Sequence, residues 1–288
     1  MSADYASEFI AKGGDKFDLS ACPTRVDRLG SKSKARSLIK DNAKAIAPLA
    51  HQLYGEAERS VLIVLQGMDT SGKDGTTSAL FHRTPPLNVN VASFKAPSKI
   101  ELAHDYLWRI HNVCPRKGQI TVFNRSHYED VLVVKVRGFA PADKVEQRYE
   151  QINNFEKHLT ENGTRVLKFM LHISKETQGE RLRERLEIPR KRWKFNPGDL
   201  DDRALWPDFM QAYETMVRRT STDHAPWHII PSDSRSTRGA IVSAIVKNTL
   251  QDEPAISRPR LSPRRFRDFL RSSVHLQRRQ PAKLIVKA

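Results

Sequence analysis

Along most of this chain, short apolar runs of strand length alternate with longer segments of helical period. Val61-Leu62-Ile63-Val64-Leu65 is apolar without a break, the pattern of a strand buried on both faces, and it lies within a predicted strand from Ser60 to Gln66. A helix is predicted from about Lys73 to His82, ahead of Pro85-Pro86, and the alternation of Leu87 to Phe94 predicts a second strand. Ser98 caps a predicted helix that runs through Trp108 to about Val113 and is ended by Pro115 and Gly118. The short β-branched strand Gln119 to Phe123 opens onto Asn124-Arg125-Ser126. A helix from Ala142 to Asn162 stops at Gly163, a strand runs from Arg165 to Ile173, and Ser174 starts a helix to about Leu186. Trp206 to Thr220 is helical, Trp227 to Ile230 is a short strand, and Arg238 to Leu250 is a closing helix. Five strands separated by crossover-length helices predict an α/β protein with a mostly parallel sheet.

Both ends break this rhythm. Residues 1 to about 35 are polar, contain Gly13-Gly14 and Pro23, and read as an arm packed on a core of residues 36–250. From Asp252 the chain turns basic and proline-broken, with Arg258-Pro259-Arg260 and Arg264-Arg265-Phe266-Arg267. This tail, residues 251–288, has two readings: a solvated extension, or an electrostatic handle for a polyanion or a partner subunit. It holds no glycine loop, acid pair or strand end, so it is expected to be dispensable for chemistry.

With 39% hydrophobic and 28% charged residues, the 288-residue chain has the composition of a soluble enzyme. No run approaches the roughly 18 apolar residues of a membrane span. The N-terminal residues lack the basic start and apolar block of a secretory signal, so a cytoplasmic location is expected. Cys22 and Cys114 are too few for a disulfide framework and lie in no metal-ligand spacing; both read as reduced thiols. The formal net charge of +16 implies an acidic partner, and composition alone leaves nucleic acid, anionic lipid and condensed phosphate open.

Gly67-Met68-Asp69-Thr70-Ser71-Gly72-Lys73-Asp74-Gly75-Thr76 narrows that choice, because a buried strand, a glycine-rich turn and a helix start together form a phosphate loop. Converging N–H groups hold the anion, Gly67, Gly72 and Gly75 allow close backbone approach, and Lys73 supplies a mobile point charge. The G-x-x-x-x-G-K pattern is complete, but Asp74 replaces the hydroxyl residue that would ligate magnesium. A metal here would therefore be held by a carboxylate, Asp69 or Asp74, and Asp69 is the candidate taken forward. The plain alternative is an ordinary glycine turn with a surface lysine.

A second constellation, Asn124-Arg125-Ser126-His127-Tyr128-Glu129-Asp130, follows the strand Gln119 to Phe123, and residues past the carboxyl ends of parallel strands face the ligand crevice. Arg125 is positioned to span two phosphate oxygens. Alternatively, Asn124 caps the next helix and Arg125 pairs with Glu129. A third segment runs from Arg181 and Arg185, one helical turn apart, past Pro189 to Arg190-Lys191-Arg192-Trp193-Lys194. It reads as a lid, about residues 188–205, that excludes water and neutralises phosphate charge. A single-stranded nucleic-acid surface and a plain solvated face are the other readings.

Taken together, the loop Gly67 to Thr76, Ser93-Phe94-Lys95-Ala96-Pro97, Phe123 to Val133 and Lys191-Arg192-Trp193-Lys194 resemble, in order, the family-2 polyphosphate kinases. The resemblance covers roughly residues 30 to 250 and implies a P-loop kinase-like three-layer fold with a parallel sheet and a lid, similar to thymidylate kinase. It also implies phosphoryl transfer between inorganic polyphosphate and nucleoside mono- or diphosphates, with Mg²⁺ and no organic cofactor, and in many members the reverse reaction. The Asn-Arg-Ser-His-Tyr form is similar to the branch that accepts AMP and ADP; GMP and GDP stay open. Many members carry Asp where this chain has Asn124, and there that Asp helps hold magnesium.

On this reading Asp69 holds magnesium or orients the attacking phosphate oxygen, and Lys73 and Arg125 stabilise the transferred group. Lys95, Arg190, Arg192 and Lys194, with Arg181 and Arg185, guide the polyanion. No histidine is needed as general base, because a nucleotide phosphate is already deprotonated near neutral pH. An ATP-dependent nucleotide kinase and a basic P-loop nucleic-acid-binding protein are the rivals. The missing acidic pair after Phe123 argues against the second and against nucleic acid as partner. A homo-oligomer, dimer or tetramer, is expected, and no membrane partner.

Overall fold

Ser60–Gln66 is buried at every position because a parallel strand flanks it on each side and a helical layer covers each face. The computed structural model describes residues 5–27 and 29–252, together with Arg267. Numbered in chain order, the strands are β1 (Ile10–Ala11), β2 (Ser60–Gln66), β3 (Val89–Ser93), β4 (Ile120–Asn124), β5 (Thr164–His172) and β6 (Trp227–Pro231). They form one sheet in the order β1-β6-β5-β2-β4-β3, parallel except for β1. The α/β architecture with a mostly parallel sheet predicted from the pattern is the observed one.

Alternation along β2 assigns the two cores. Leu62 and Val64 point to a layer built on the helices Ala142–Glu161 and Trp206–Thr220; Val61, Ile63 and Leu65 point to the helices Lys32–Glu56, Lys73–Phe81 and Arg235–Asp252. Each such side chain contributes about 1.5–3 kcal/mol by burial. The chain leaves β2 for the far edge at β3, returns to β4, then crosses to β5 and β6 on the other side. A crevice therefore opens at the carboxyl ends of the strands around β2 and β4, where α/β sheets bind ligands.

Three features differ from the sequence-based expectation. The helix predicted from Ser98 to Val113 is two short turns, Lys99–Leu102 and Trp108–His111, because the Asp105 carboxylate accepts from the N–H groups of Leu107 and Trp108 and restarts the chain. The helix Lys32–Glu56, capped by Ser31 through Lys34 N–H, was not anticipated. The N-terminal arm adds β1 antiparallel to β6, and Phe9 C=O accepts from Ile229 N–H at 2.8 Å. The chain divides after Glu253, and the predicted basic tail beyond that point lies outside the described residues apart from Arg267. Among the described residues, no helix is long and apolar enough to cross a membrane.

Candidate active site

The phosphate loop takes its shape from positions that only glycine fills well. Gly67 has φ 143°, and a β-carbon there would stand 2.6 Å from Leu171 C=O; Gly72 has φ 105°, and a β-carbon there would strike the Arg238 guanidinium. Thr70 is left-handed as well, at φ 65°, an uncommon conformation for a side-chain-bearing residue and one that gathers at functional sites. The buried Lys73 ammonium donates to Gly67 C=O at 2.7 Å and Met68 C=O at 3.4 Å. The hydroxyls of Thr70 and Ser71 are buried and have no hydrogen-bond partner among the described residues. Burial, then the like charge of Arg125, pulls the Lys73 amine down to about 8 against the opposing pull of Asp69, Glu129 and Asp74.

At the end of β4, Arg125 is held at φ 63° while its N–H donates to Leu65 C=O at 3.2 Å. Its guanidinium lies 2.6 Å from Asp69 Oδ1 and 3.6 Å from Glu129 Oε2. Burial opposes ionisation of Asp69, but the charges of Arg125, Lys73 and Arg185 outweigh it and hold the carboxyl below its usual range. Glu129 is pushed up by burial despite Arg125 and Lys73. The capping alternative is half right: Arg125 does meet Glu129, but Ser126, not Asn124, caps the turn by accepting from Tyr128 N–H. Asn124 instead donates to Asp74 Oδ1 at 2.7 Å. His127 and Tyr128 point away from the crevice into a fully buried network with Glu156 and Lys168.

The predicted lid is the 3₁₀ turn Pro189–Lys194 and the helix Gly198–Ala204. Lys194 Nζ lies 2.8 Å from Asp74 Oδ2, so both Asp74 oxygens are occupied and this segment rests on the start of the Lys73–Phe81 helix. Lys194's hydrogen bond is the main reason the Asp74 carboxyl is depressed. Arg185 pairs with Asp199 at 2.6 Å and donates to Lys194 C=O, tying the segment to the helix that precedes it.

A cleft of about 440 Å³ lies over the loop, lined by eight Lys or Arg side chains against three carboxylates. It brings together Asp69, Thr70, Gly72, Lys73, Asp74, Gly75, Asn124, Arg125, Arg181, Arg185 and Lys194 from the sequence-based set. It does not include Lys95, Arg190 or Arg192. Arg190 and Arg192 are exposed, with Arg192 Nε spent on Leu186 C=O, because the 3₁₀ turn directs Lys191 and Lys194, three residues apart, inward and Arg190 and Arg192 outward. Arg181, at the cleft wall, is buried and donates to the carbonyls of Thr70, Ser71, Ser232 and Asp233. Sequence reasoning missed Lys191, Arg235 and Arg238 in this cleft. Lys191 stood in a quoted basic motif, but Arg235 and Arg238 sit at the start of a helix whose apolar pattern reads as plain core.

A second cleft of about 900 Å³ adjoins the first, and Phe94 and Arg125 line both. Lys95, Tyr106, Arg109, Glu129, Asp130 and Arg148 also line it. Arg109 lies over the Phe94 ring and Arg148 over Tyr106, while Arg148 pairs with Asp130 at 3.2 Å. Burial raises Asp130 to about 6 in spite of Arg148. The arrangement is an aromatic and basic pocket adjoining a cationic cleft, with Arg125 between them.

The family described as Polyphosphate kinase 2 matches residues 29–257. The AMP/ADP-polyphosphate phosphotransferase of Meiothermus ruber is 48% identical over 222 residues, 77% of this chain and 83% of that one. The ADP-polyphosphate phosphotransferase of Rhodopseudomonas palustris is 37% identical over 276 residues, 91% of this chain and 95% of that one. The crystal structure of Polyphosphate Kinase 2 from Arthrobacter aurescens superposes with a TM-score of 0.88 at 35% identity, covering 94% of this chain and 98% of that one.

Proposed function

The chain belongs to the family-2 polyphosphate kinases, and from that premise we propose how its two clefts divide the transfer of a phosphoryl group between inorganic polyphosphate and nucleotides. Polyphosphate lies along the cationic cleft over the phosphate loop, under Lys191 and Lys194. The nucleotide occupies the Phe94 cleft with its phosphate toward Arg125. The observation that carries this reading is that Arg125, fixed by Asp69 at 2.6 Å, lines both clefts, so one guanidinium reaches donor and acceptor.

Transfer of this kind asks for positioning and charge neutralisation rather than for a base, since the acceptor phosphate is already ionised. Lys73 and the loop N–H groups hold the phosphate being transferred, Arg125 bridges it to the acceptor, and the lid keeps water out. Magnesium fits the donor set: Asp69 Oδ2 has no protein donor among the described residues, and this ion takes one or two carboxylates with phosphate oxygens and water for the rest. When bound at Asp69, it supplies further neutralisation of phosphate charge. With Asp74 taken by Asn124 and Lys194, Asp69 is the carboxylate left for this role. AMP and ADP are the proposed acceptors, because a pocket that grips the acceptor's end phosphate at Arg125 leaves the remainder of the molecule in the roomier Phe94 cleft.

Steady-state kinetics test the division. Lys194→Ala is expected to raise the KM for polyphosphate about tenfold and to leave the KM for AMP and ADP within about twofold. Arg192→Ala, whose side chain faces outward, is expected to do less. Added salt should raise the KM for polyphosphate, more for long chains than for short ones. Conversely, Arg148→Ala should raise the nucleotide KM and spare that for polyphosphate. Equal effects of either substitution on both substrates would refute separate clefts.

A further inference from the structure

Arg238 projects from the Arg235–Asp252 helix beneath the phosphate loop and is only 4% exposed. Its Nε donates to Thr76 Oγ1 at 2.9 Å and its Nη1 to Ser71 C=O at 2.8 Å. Nη2 has no protein acceptor among the described residues, and the side chain lines the phosphate cleft. A β-carbon on Gly72 would stand 2.3 Å from Nη1, so the guanidinium lies directly under the tightest point of the loop.

No carboxylate among the described residues pairs with Arg238; its charged neighbours are Arg181 and Arg235, both cations. Burial, and after it those like charges, disfavour its charged form. A guanidinium nonetheless stays charged at neutral pH, and a buried cation without a counter-charge is destabilising. Bracing Ser71 and Thr76 needs only hydrogen bonds, which a neutral amide also supplies. The charge needs another explanation.

We propose that Arg238 is a positioning residue for polyphosphate, bolting Ser71 and Thr76 into the anion-binding form of the loop and holding beneath Gly72 a charge that the phosphate chain neutralises. This rests on the reading that the loop holds polyphosphate. Free protein carries the uncompensated cation, bound polyphosphate answers it, and affinity for the chain is coupled to that charge.

Wild type, Arg238→Gln and Arg238→Lys are compared by thermal unfolding with and without polyphosphate, and by KM for each substrate. Arg238→Gln is expected to shrink the polyphosphate-induced rise in Tm and to raise the KM for polyphosphate about tenfold, with nucleotide KM within about twofold. Arg238→Lys, which keeps the charge and loses the fork, should recover most of both responses. Equal losses in the two variants, or an unchanged polyphosphate response in Arg238→Gln, would overturn the proposal and leave a hydrogen-bonded brace. Should the glutamine variant not fold, the lysine variant decides alone: a retained response supports the role of charge and a lost one overturns it. Absence of any polyphosphate-induced rise in wild type would instead refute the reading of the loop, whatever the variants do.

Discussion

Replacing Lys73 by alanine is expected to lower kcat by about 10²-fold or more while the chain still folds. The ammonium is buried at the mouth of the Lys73–Phe81 helix and bonded to the loop carbonyls of Gly67 and Met68, so it is held where charge gathers on the transferred group. Far-ultraviolet circular dichroism establishes folding, and turnover near the wild-type rate would remove Lys73 from the reaction. Its amine, pulled to about 8 chiefly by burial, also sets a pH dependence. In free enzyme the charge is lost as pH rises through about 8, so kcat/KM for polyphosphate should fall there. Bound polyphosphate favours the ammonium, so the fall in kcat should lie at higher pH. Stability runs the other way: the folded group binds fewer protons than the unfolded one between about 8 and its ordinary 10.5, so its contribution improves as pH rises through that window. A kcat/KM profile that stays flat well above pH 8 would show that Lys73 is not the titrating group.

Sequence pattern revealed the sheet because parallel strands buried on both faces are written as unbroken apolar runs, as at Val61 to Leu65. It revealed the phosphate loop for a different reason: the positive φ of Gly67 and Gly72 leaves little choice of residue. What it could not show is where a cation points. Arg190 and Arg192 stand in the same basic run as Lys191 and Lys194, and only the 3₁₀ geometry sends one pair out and the other in. Nor could the pattern show that Arg181, at the wall of the cleft, also braces the carbonyls of Ser232 and Asp233, because those bonds depend on the end of β6, some fifty residues away. Arg238 gave no signal, since an arginine in the polar first turn of a helix has no local meaning until the helix packs under the loop. The second cleft was equally hidden: its walls come from the two turns that replace the predicted Ser98 helix and from Arg148, far along the chain.

Asp69→Asn and Arg125→Lys are each expected to reduce kcat by about 10²-fold or more, and the double variant is expected to be little worse than the poorer single one. Arg125 carries a left-handed backbone at φ 63° while two carboxylates, Asp69 at 2.6 Å and Glu129 at 3.6 Å, fix its guanidinium at the wall shared by both clefts. Lysine keeps the charge but has no planar fork, so it cannot hold two phosphate oxygens at once or satisfy both acids. Asparagine at 69 releases the fork from its closer partner and, if Asp69 holds magnesium, also raises the magnesium concentration needed for half-maximal rate. Because both changes disable one ion pair, their penalties overlap instead of multiplying. Purified variants assayed with polyphosphate and ADP across a magnesium series give kcat and the metal dependence together. Full activity of Arg125→Lys would mean that the guanidinium only braces Glu129, and fully multiplicative losses in the double variant would mean that Asp69 and Arg125 act separately.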